Sequence, residues 1–274
     1  MINIENEYLG LLSGVLHGGI EKPDRTGTGT RAVFGRMIRH DMALGFPILT
    51  TKKIYFDKAV TELLWIISGR TDLDYLHTHG VQYWDADYKR SGRTDGTLGP
   101  VYGKQWRFWG NHDQFFTLLS EIKKNPSSRR LMVNAWNVGE LNDMVLPPCH
   151  YGFQIYINNG EMSLMWQQRS ADLFLGLPYD IVMYGLLLEM LAKGNGYKPK
   201  QLIASIGDCH LYNNHREAAK IQLERATFDL PQLDLSFGIE IDKSEKFTYV
   251  PTHEEIKLKN YKCHDPIKAK LSVG

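Results

Sequence analysis

The sequence predicts a mixed fold of the α/β (α+β) class, in which strands and helices do not strictly alternate. Three observations lead there. Residues 130–137, 151–157 and 161–168 alternate apolar and polar positions and are rich in β-formers. Residues 56–69 and 178–194 are apolar segments of helical length. A further strand candidate, 201–206, comes only after the second of these helices, so the order is not a simple βαβ repeat.

Taken in order, residues 2–16 carry Ile4, Tyr8, Leu11, Leu12 and Val15 at roughly helical spacing. The stretch Asp24-Arg25-Thr26-Gly27-Thr28-Gly29-Thr30 reads as a mobile loop, because glycine permits many backbone states. Residues 56–69 read as a buried helix closed by Gly69, and 112–125 as a second helix. Asn158-Asn159-Gly160 signals a hairpin between the strands at 151–157 and 161–168. Pro178 suits the first turn of the most apolar helix, and Gly194 its end. Residues 213–224 read as a short helix.

A chain of 274 residues can bury a sizeable core. No repeat, low-complexity tract or linker interrupts it, so residues 1–274 are expected to form a single domain. The formal net charge of +1 gives no global field toward nucleic acid or membrane, so neither is expected as a partner. Any anionic ligand must be held by local arginines. The odd set Cys149, Cys209 and Cys263 argues against a disulfide framework, and zinc-type spacings are missing, so no metal is expected. No signal segment or bilayer-length apolar run is present, and a reducing cytoplasmic setting is expected.

Four segments carry chemistry. In Leu146-Pro147-Pro148-Cys149-His150, two prolines stiffen the approach to a cysteine. Taken alone, that thiol is either a structural core group or a nucleophile activated by nearby cations. Ser127-Ser128-Arg129-Arg130 precedes a strand, and on extended chain its two arginines point to opposite sides. They form either a solvated basic pair or a phosphate clamp. In Gln167 to Asp180, polar groups interrupt two apolar segments. Burying Arg169, Ser170 and Asp172 unpaired is costly, so they meet a ligand or one another. Along Ile206 to His215, strand alternation sets Asp208, His210 and Tyr212 on one face, where they suit a sugar.

With these residues in view, the chain resembles the thymidylate synthase family from end to end. The matching pieces are Asp24 to Gly29, Glu62-Leu63-Leu64-Trp65, Leu98 to Arg107, Ser128-Arg129-Arg130, Pro147 to His150, Gln168 to Pro178 and Gly207 to His215. The resemblance implies a layered fold whose mixed sheet forms a homodimer interface. It implies a nucleoside monophosphate substrate and 5,10-methylenetetrahydrofolate as one-carbon donor. It implies that Cys149 attacks C6 of the pyrimidine, making C5 carbanion-like. Arg25, Arg169 and Ser170 hold the phosphate, with Arg129 and Arg130 reaching in from the other subunit. His210 and Tyr212 bind the sugar 3′-hydroxyl. Glu62 organises water for proton transfer, Tyr102 helps remove the C5 proton, and His150 joins the water network near position 4 of the base. Trp84, Asp172 and Gly176 line the folate side.

One position departs. The family motif ends Leu/Val-Pro-Phe-Asn, whereas here it ends Leu177-Pro178-Tyr179-Asp180. The family's asparagine accepts from uracil N3–H and donates to O4, and cytosine reverses both signals. A carboxylic acid at 180 can donate to N3 and accept from the 4-amino group. Asp at this position also resembles the deoxycytidylate hydroxymethylases of phages. Each unmade bond costs about 1–3 kcal/mol, so two mismatches give selectivity on the order of 10²–10⁴. The expectation is a dCMP C5-methyltransferase. A dCMP hydroxymethylase is the alternative, and a dUMP enzyme a further one. The retained Pro-Pro-Cys-His and Leu-Gly-Leu-Pro patterns and Trp84 lean toward methyl. The polar tail Ile267 to Gly274, with Lys270, Ser272 and one extra residue at Gly274, leans the other way through looser water exclusion.

Overall fold

A computed structural model of the chain describes residues 1–241 and 247–273. Gly274, and with it the expectation about the extra terminal residue, lies outside the described residues. Helix α1 (Ile4–Gly18) is capped by the Asn3 side chain and buries Ile4, Tyr8, Leu11, Leu12 and Val15, the five positions its spacing predicts. Strands β1 (Ile20–Lys22) and β2 (Thr30–Asp41) flank the Gly/Thr loop. That loop is built around one carboxylate. Asp24 Oδ2 accepts from Thr26 N–H and Oγ1–H, and Oδ1 accepts from Gly29 N–H at 2.7 Å. Strand β2 escapes a sequence reading, because Arg31, Arg36, Arg39 and Gly35 break its apolar alternation.

Helices α2 (Phe56–Ile67), α3 (Leu73–Thr78), α4 (Asp85–Ser91), α5 (Tyr102–Arg107) and α6 (Gln114–Lys124) follow. The segment expected as a strand over 130–137 pairs only as β3 (Met132–Asn134). Arg129 and Arg130 lie in a turn, with Met132 N–H bonded to the Arg130 carbonyl. At the other end the Asn134 side chain accepts from Trp136 N–H, which stops the ladder. Strands β4 (His150–Asn158) and β5 (Glu161–Asp172) form the expected hairpin. Asn159 (φ 51°) and Gly160 (φ 76°) supply its two left-handed turn residues. The apolar helix α7 (Leu177–Gly194) carries the chain over to β6 (Lys198–Tyr212). A 3-10 turn, Asn213–His215, and α8 (Arg216–Leu223) replace the single helix expected over 213–224. Short strands β7 (Gln232–Leu235), β8 (Glu240–Ile241), β9 (Phe247–Tyr249) and β10 (Ile256–Lys259) complete the described strands.

The large sheet has the order β1-β2-β6-β5-β4-β3, and only β5 and β6 run parallel. A parallel pair needs a long crossover, which α7 provides. Helices α1 and α7 cover one face. The register aligns Val133, Phe153, Trp166, Ala204 and Ile38 in a row across that face, all buried. The next row, Met132, Gln154, Met165, Ile203 and Arg39, points the opposite way, as strand alternation requires. On that second face, no helix among the described residues covers Met132, Met37, Phe34 (84% exposed) or Tyr156.

One crosswise line of the sheet is irregular. Gly35, Gly207 and Arg169 drop out of the pairing, and β4 shifts register between His150 and Gly152. Inward parity reverses there. Ala204 and Ile206 are buried before it, Cys209 and Leu211 after it. Likewise Trp166 and Gln168 precede the line and Ala171 follows it. Glycine is needed at 207, because a Cβ there would stand 2.9 Å from the Arg169 carbonyl oxygen.

Candidate active site

Cys149 ends the Pro147-Pro148 segment, immediately before β4, and is partly exposed. Its N–H donates to Tyr102 Oη at 2.9 Å, and its carbonyl accepts from Arg169 N–H at 2.8 Å. Arg169 Nε and Nη2 donate to the Pro148 and Pro147 carbonyls, both at 2.8 Å. The guanidinium therefore splints the cysteine loop, with Nη2 3.9 Å from Sγ and the ring of Trp136 5.4 Å away. Nearby cations were expected to lower the thiol pKa. Burial instead pushes it up to about 11, outweighing the opposing charges of Arg169 and Arg25.

His150 starts β4 and stacks on Tyr102 at 4.3 Å. Its Nδ1 meets Tyr184 Oη at 2.9 Å, and Nε2 stands 3.9 Å from Asp180 Oδ1. Burial pushes the imidazole down to about 3, so it is neutral and no ion pair forms with Asp180. Tyr102 is buried and its pKa lies well above the ordinary phenol value, first through desolvation and then through Cys149. Its hydroxyl keeps its proton.

Asp180 lies in the first turn of α7, its N–H bonded to the Gly176 carbonyl. Burial pushes its carboxyl up to about 7, opposed by the hydrogen bond from Gln168 and reinforced by Glu62 and Asp172. Glu62, on α2, accepts from Tyr83 Oη at 2.6 Å and from Trp84 Nε1 at 2.9 Å. Burial raises its pKa also, against both of these bonds. Two carboxyls thus share one site, one held by two donors and the other driven toward its neutral form.

Asp172, at the end of β5, caps the turn into α7 by accepting from Phe174 and Leu175 N–H on Oδ1. Its Oδ2 makes no hydrogen bond among the described residues and can accept from a ligand amine. Gly176 N–H donates to the Asp172 carbonyl. Ser170 pairs with Asp208, and Asp172 with His210, across β5 and β6. His210 Nδ1 contacts Asp208 Oδ1 at 3.1 Å, and Lys22 reaches Asp208 at 2.7 Å. These contacts hold the Asp208 carboxyl down to about 2. Burial pushes Tyr212 up to about 12, and the charges of Asp172, Arg25 and Cys149 all reach its hydroxyl.

The fold therefore gathers Cys149, Glu62, Tyr102, His150, Arg25, Arg169, Asp172, Asp180, Trp84 and Tyr212 into one neighbourhood. Arg129 and Arg130 are not part of it. Both are exposed, and neither side chain contacts a member of this set within the chain. Sequence reasoning missed four side chains. Gln168 accepts from Trp166 Nε1 and donates to Asp180, and Tyr184 bonds His150. Tyr83 bonds Glu62, and buried Lys52 donates to the Phe174 carbonyl. Alternation from Trp166 into Gln168 was the one available signal.

The thymidylate synthase family model matches residues 6–273. The chain belongs to the thymidylate synthase family. Thymidylate synthases transfer a one-carbon unit from 5,10-methylenetetrahydrofolate to a nucleoside monophosphate and are typically homodimers. The donor set suits that folate. Trp84 offers an aromatic wall, edge-on to Tyr102 at 6.3 Å, and Asp172 a free carboxylate oxygen. Among the described residues, no helix is long and apolar enough to cross a membrane, and no group of His, Cys, Asp and Glu is arranged to hold a metal ion.

Proposed function

We propose that this thymidylate synthase family member methylates C5 of dCMP. The observation that carries the reading is the buried Asp180 carboxyl, poised near neutrality. In its neutral form it donates to cytosine N3 and accepts from the 4-amino group. In its ionised form it still accepts from that amine. Uracil offers an acceptor, O4, where cytosine offers the amine, so the ionised form rejects it.

The proposed chemistry assigns each side chain one task. Cys149, as thiolate, bonds C6 of the pyrimidine, and the C5–C6 pair of electrons moves toward C5. Its raised pKa leaves activation to the charges of Arg25 and Arg169, which favour the thiolate, and with the Ser170 hydroxyl the same arginines clamp the phosphate. His210 and Tyr212 hold the sugar hydroxyl. Glu62 and neutral His150 order water beside the base, and Tyr102 assists loss of the C5 proton. Trp84, Asp172 and Gly176 hold methylenetetrahydrofolate, which supplies the methylene and, for methyl transfer, the hydride. Once C5 carries the new carbon, the sulfur leaves C6 and the ring double bond returns.

The chain acts as one domain and pairs with a second copy through the open sheet face. Arg129 and Arg130, free of the chain's own site, then complete the partner's phosphate clamp. Incubating the protein with dCMP and dUMP side by side and identifying products by mass tests the reading. 5-Methyl-dCMP with dihydrofolate is expected, and a preference for dUMP would overturn it.

The polar tail supports a second reading, dCMP hydroxymethylation. Asn214 Nδ2 and His215 Nε2 hold the Lys270 carbonyl, and Ser272 bonds Asn214, so polar groups line the segment near Asp172. Water entry there would favour hydroxymethyl. Tritium loss from C5 without dihydrofolate formation identifies that outcome.

A further inference from the structure

Glu62 carries one donor on each carboxylate oxygen, and the two donors are consecutive residues just ahead of α4. Trp84 Nε1 bonds Oε1 at 2.9 Å, and Tyr83 Oη bonds Oε2 at 2.6 Å. Among the described residues, the other titratable groups that feel the charge of Glu62 are Tyr102 from α5 and Asp180 and Tyr184 from α7. None of these is a cation. Burial works against the ionised form of Glu62, and only the phenol and the indole work for it. The Tyr83 ring also stands 6.3 Å from Tyr179, the residue before Asp180.

We propose that Tyr83 is a positioning residue that holds the Glu62 carboxylate ionised and oriented for proton transfer. This rests on the assignment of Glu62 as the proton-relay carboxylate. A hydrogen bond to the charged form favours that form, and it is given up when the carboxyl takes a proton. Tyr83 keeps its own proton well above the ordinary phenol range, through burial and then through Glu62, so it donates at every working pH. Because its ring backs onto Tyr179, the clamp also links the relay to the helix that bears Asp180.

The test is the pH profile of tritium release from the C5-tritiated form of whichever of dCMP and dUMP the protein turns over. Tyr83→Phe removes one oxygen and keeps the ring. Its kcat is expected to fall about tenfold on the acid side and to recover toward the wild-type value as pH rises, because the lost donor raises the pH at which Glu62 ionises. KM for the nucleotide should change little. 3-Fluorotyrosine at position 83, a stronger donor of almost the same shape, should move the acid limb the other way. That variant decides the matter if Tyr83→Phe folds poorly. Profiles that superimpose on the wild type overturn the inference, provided that Glu62→Gln abolishes turnover. A fully active Glu62→Gln would overturn the assignment of Glu62 itself, and the role of Tyr83 with it.

Discussion

Gln168 Nε2 donates to Asp180 Oδ2 at 2.7 Å, and the amide cannot turn over without loss, because its Oε1 accepts from Trp166 Nε1 at 2.9 Å. An indole in the core thereby dictates which end of Gln168 meets the carboxyl. Gln168→Leu should leave Asp180 without its donor and Trp166 without its acceptor. Hydrogen bonds to a charged group contribute about 1.5–3 kcal/mol, so the nucleotide KM is expected to rise about tenfold to a hundredfold. Steady-state kinetics check this, and an unchanged KM would show that Asp180 is held by packing alone.

Asp180→Asn should move preference from dCMP toward dUMP by on the order of 10²–10⁴, measured as the ratio of kcat/KM values. The same variant should be more stable. The folded-state carboxyl sits near 7, above its ordinary 3.8, so the folded protein holds this proton more tightly than the unfolded chain does. Stability from this group is therefore full at acid pH and lost as pH rises through about 7. Asparagine has no charge to bury. Its advantage should be absent near pH 4 and reach on the order of 2–4 kcal/mol at about pH 8. Urea melts at the two pH values decide it, and equal differences at both would refute the burial argument.

Arg129 and Arg130 are exposed and touch none of the gathered site residues of their own chain, which makes a mixing experiment decisive. Cys149→Ser and the double variant Arg129→Ala/Arg130→Ala should each be inactive. Mixed after unfolding and refolding, half the dimers pair one variant with the other, and one site in each such dimer is intact. Activity should return to about a quarter of the wild-type value. No recovery would mean that the arginines do not cross between subunits.

Gly207→Ala should damage stability and turnover together. Its Cβ would crowd the Arg169 carbonyl oxygen, and that oxygen belongs to backbone, which cannot rotate aside. Such overpacking costs about 1–3 kcal/mol. Because Arg169 also splints Pro147 and Pro148, Cys149 alkylation should change in rate as well. A normal melt with normal alkylation would refute the close contact.

The sequence was readable where one period ruled a whole element. The apolar stripe of α1, the hairpin at Asn159-Gly160 and the body of α7 fall where alternation or helical spacing puts them. It was unreadable where the period changes. Strand β5 extends past the segment expected, because parity reverses at Arg169, and in β6 the same reversal at Gly207 splits one strand into two separately read stretches, 201–206 and the alternation through Asp208, His210 and Tyr212. Strand β2 vanished behind its arginines for a similar reason. Within the site, the unpaired polar types marked Arg169, Ser170 and Asp172, and the departure from the family motif marked Asp180. Tyr83 and Tyr184 left no trace, since a buried phenol gains its meaning only from a partner distant in the chain, and Gln168 was marked by alternation alone. The sequence also suggested an activated thiol at Cys149, but depth of burial cannot be read from two prolines.

The irregular line through Gly35, Gly207, Arg169 and the β4 shift has a consequence for how this chain can change length. Above and below it, opposite sets of side chains point inward. One residue added to or removed from β5 beyond Gln168 would exchange Ser170 and Asp172 for Ala171 as the outward set, and would tear the pairing with Asp208 and His210. Neighbouring strands are locked to the same line, so no single strand can absorb the slip. Growth and shrinkage of this protein are therefore confined to its connecting segments, while the four central strands must change by substitution only.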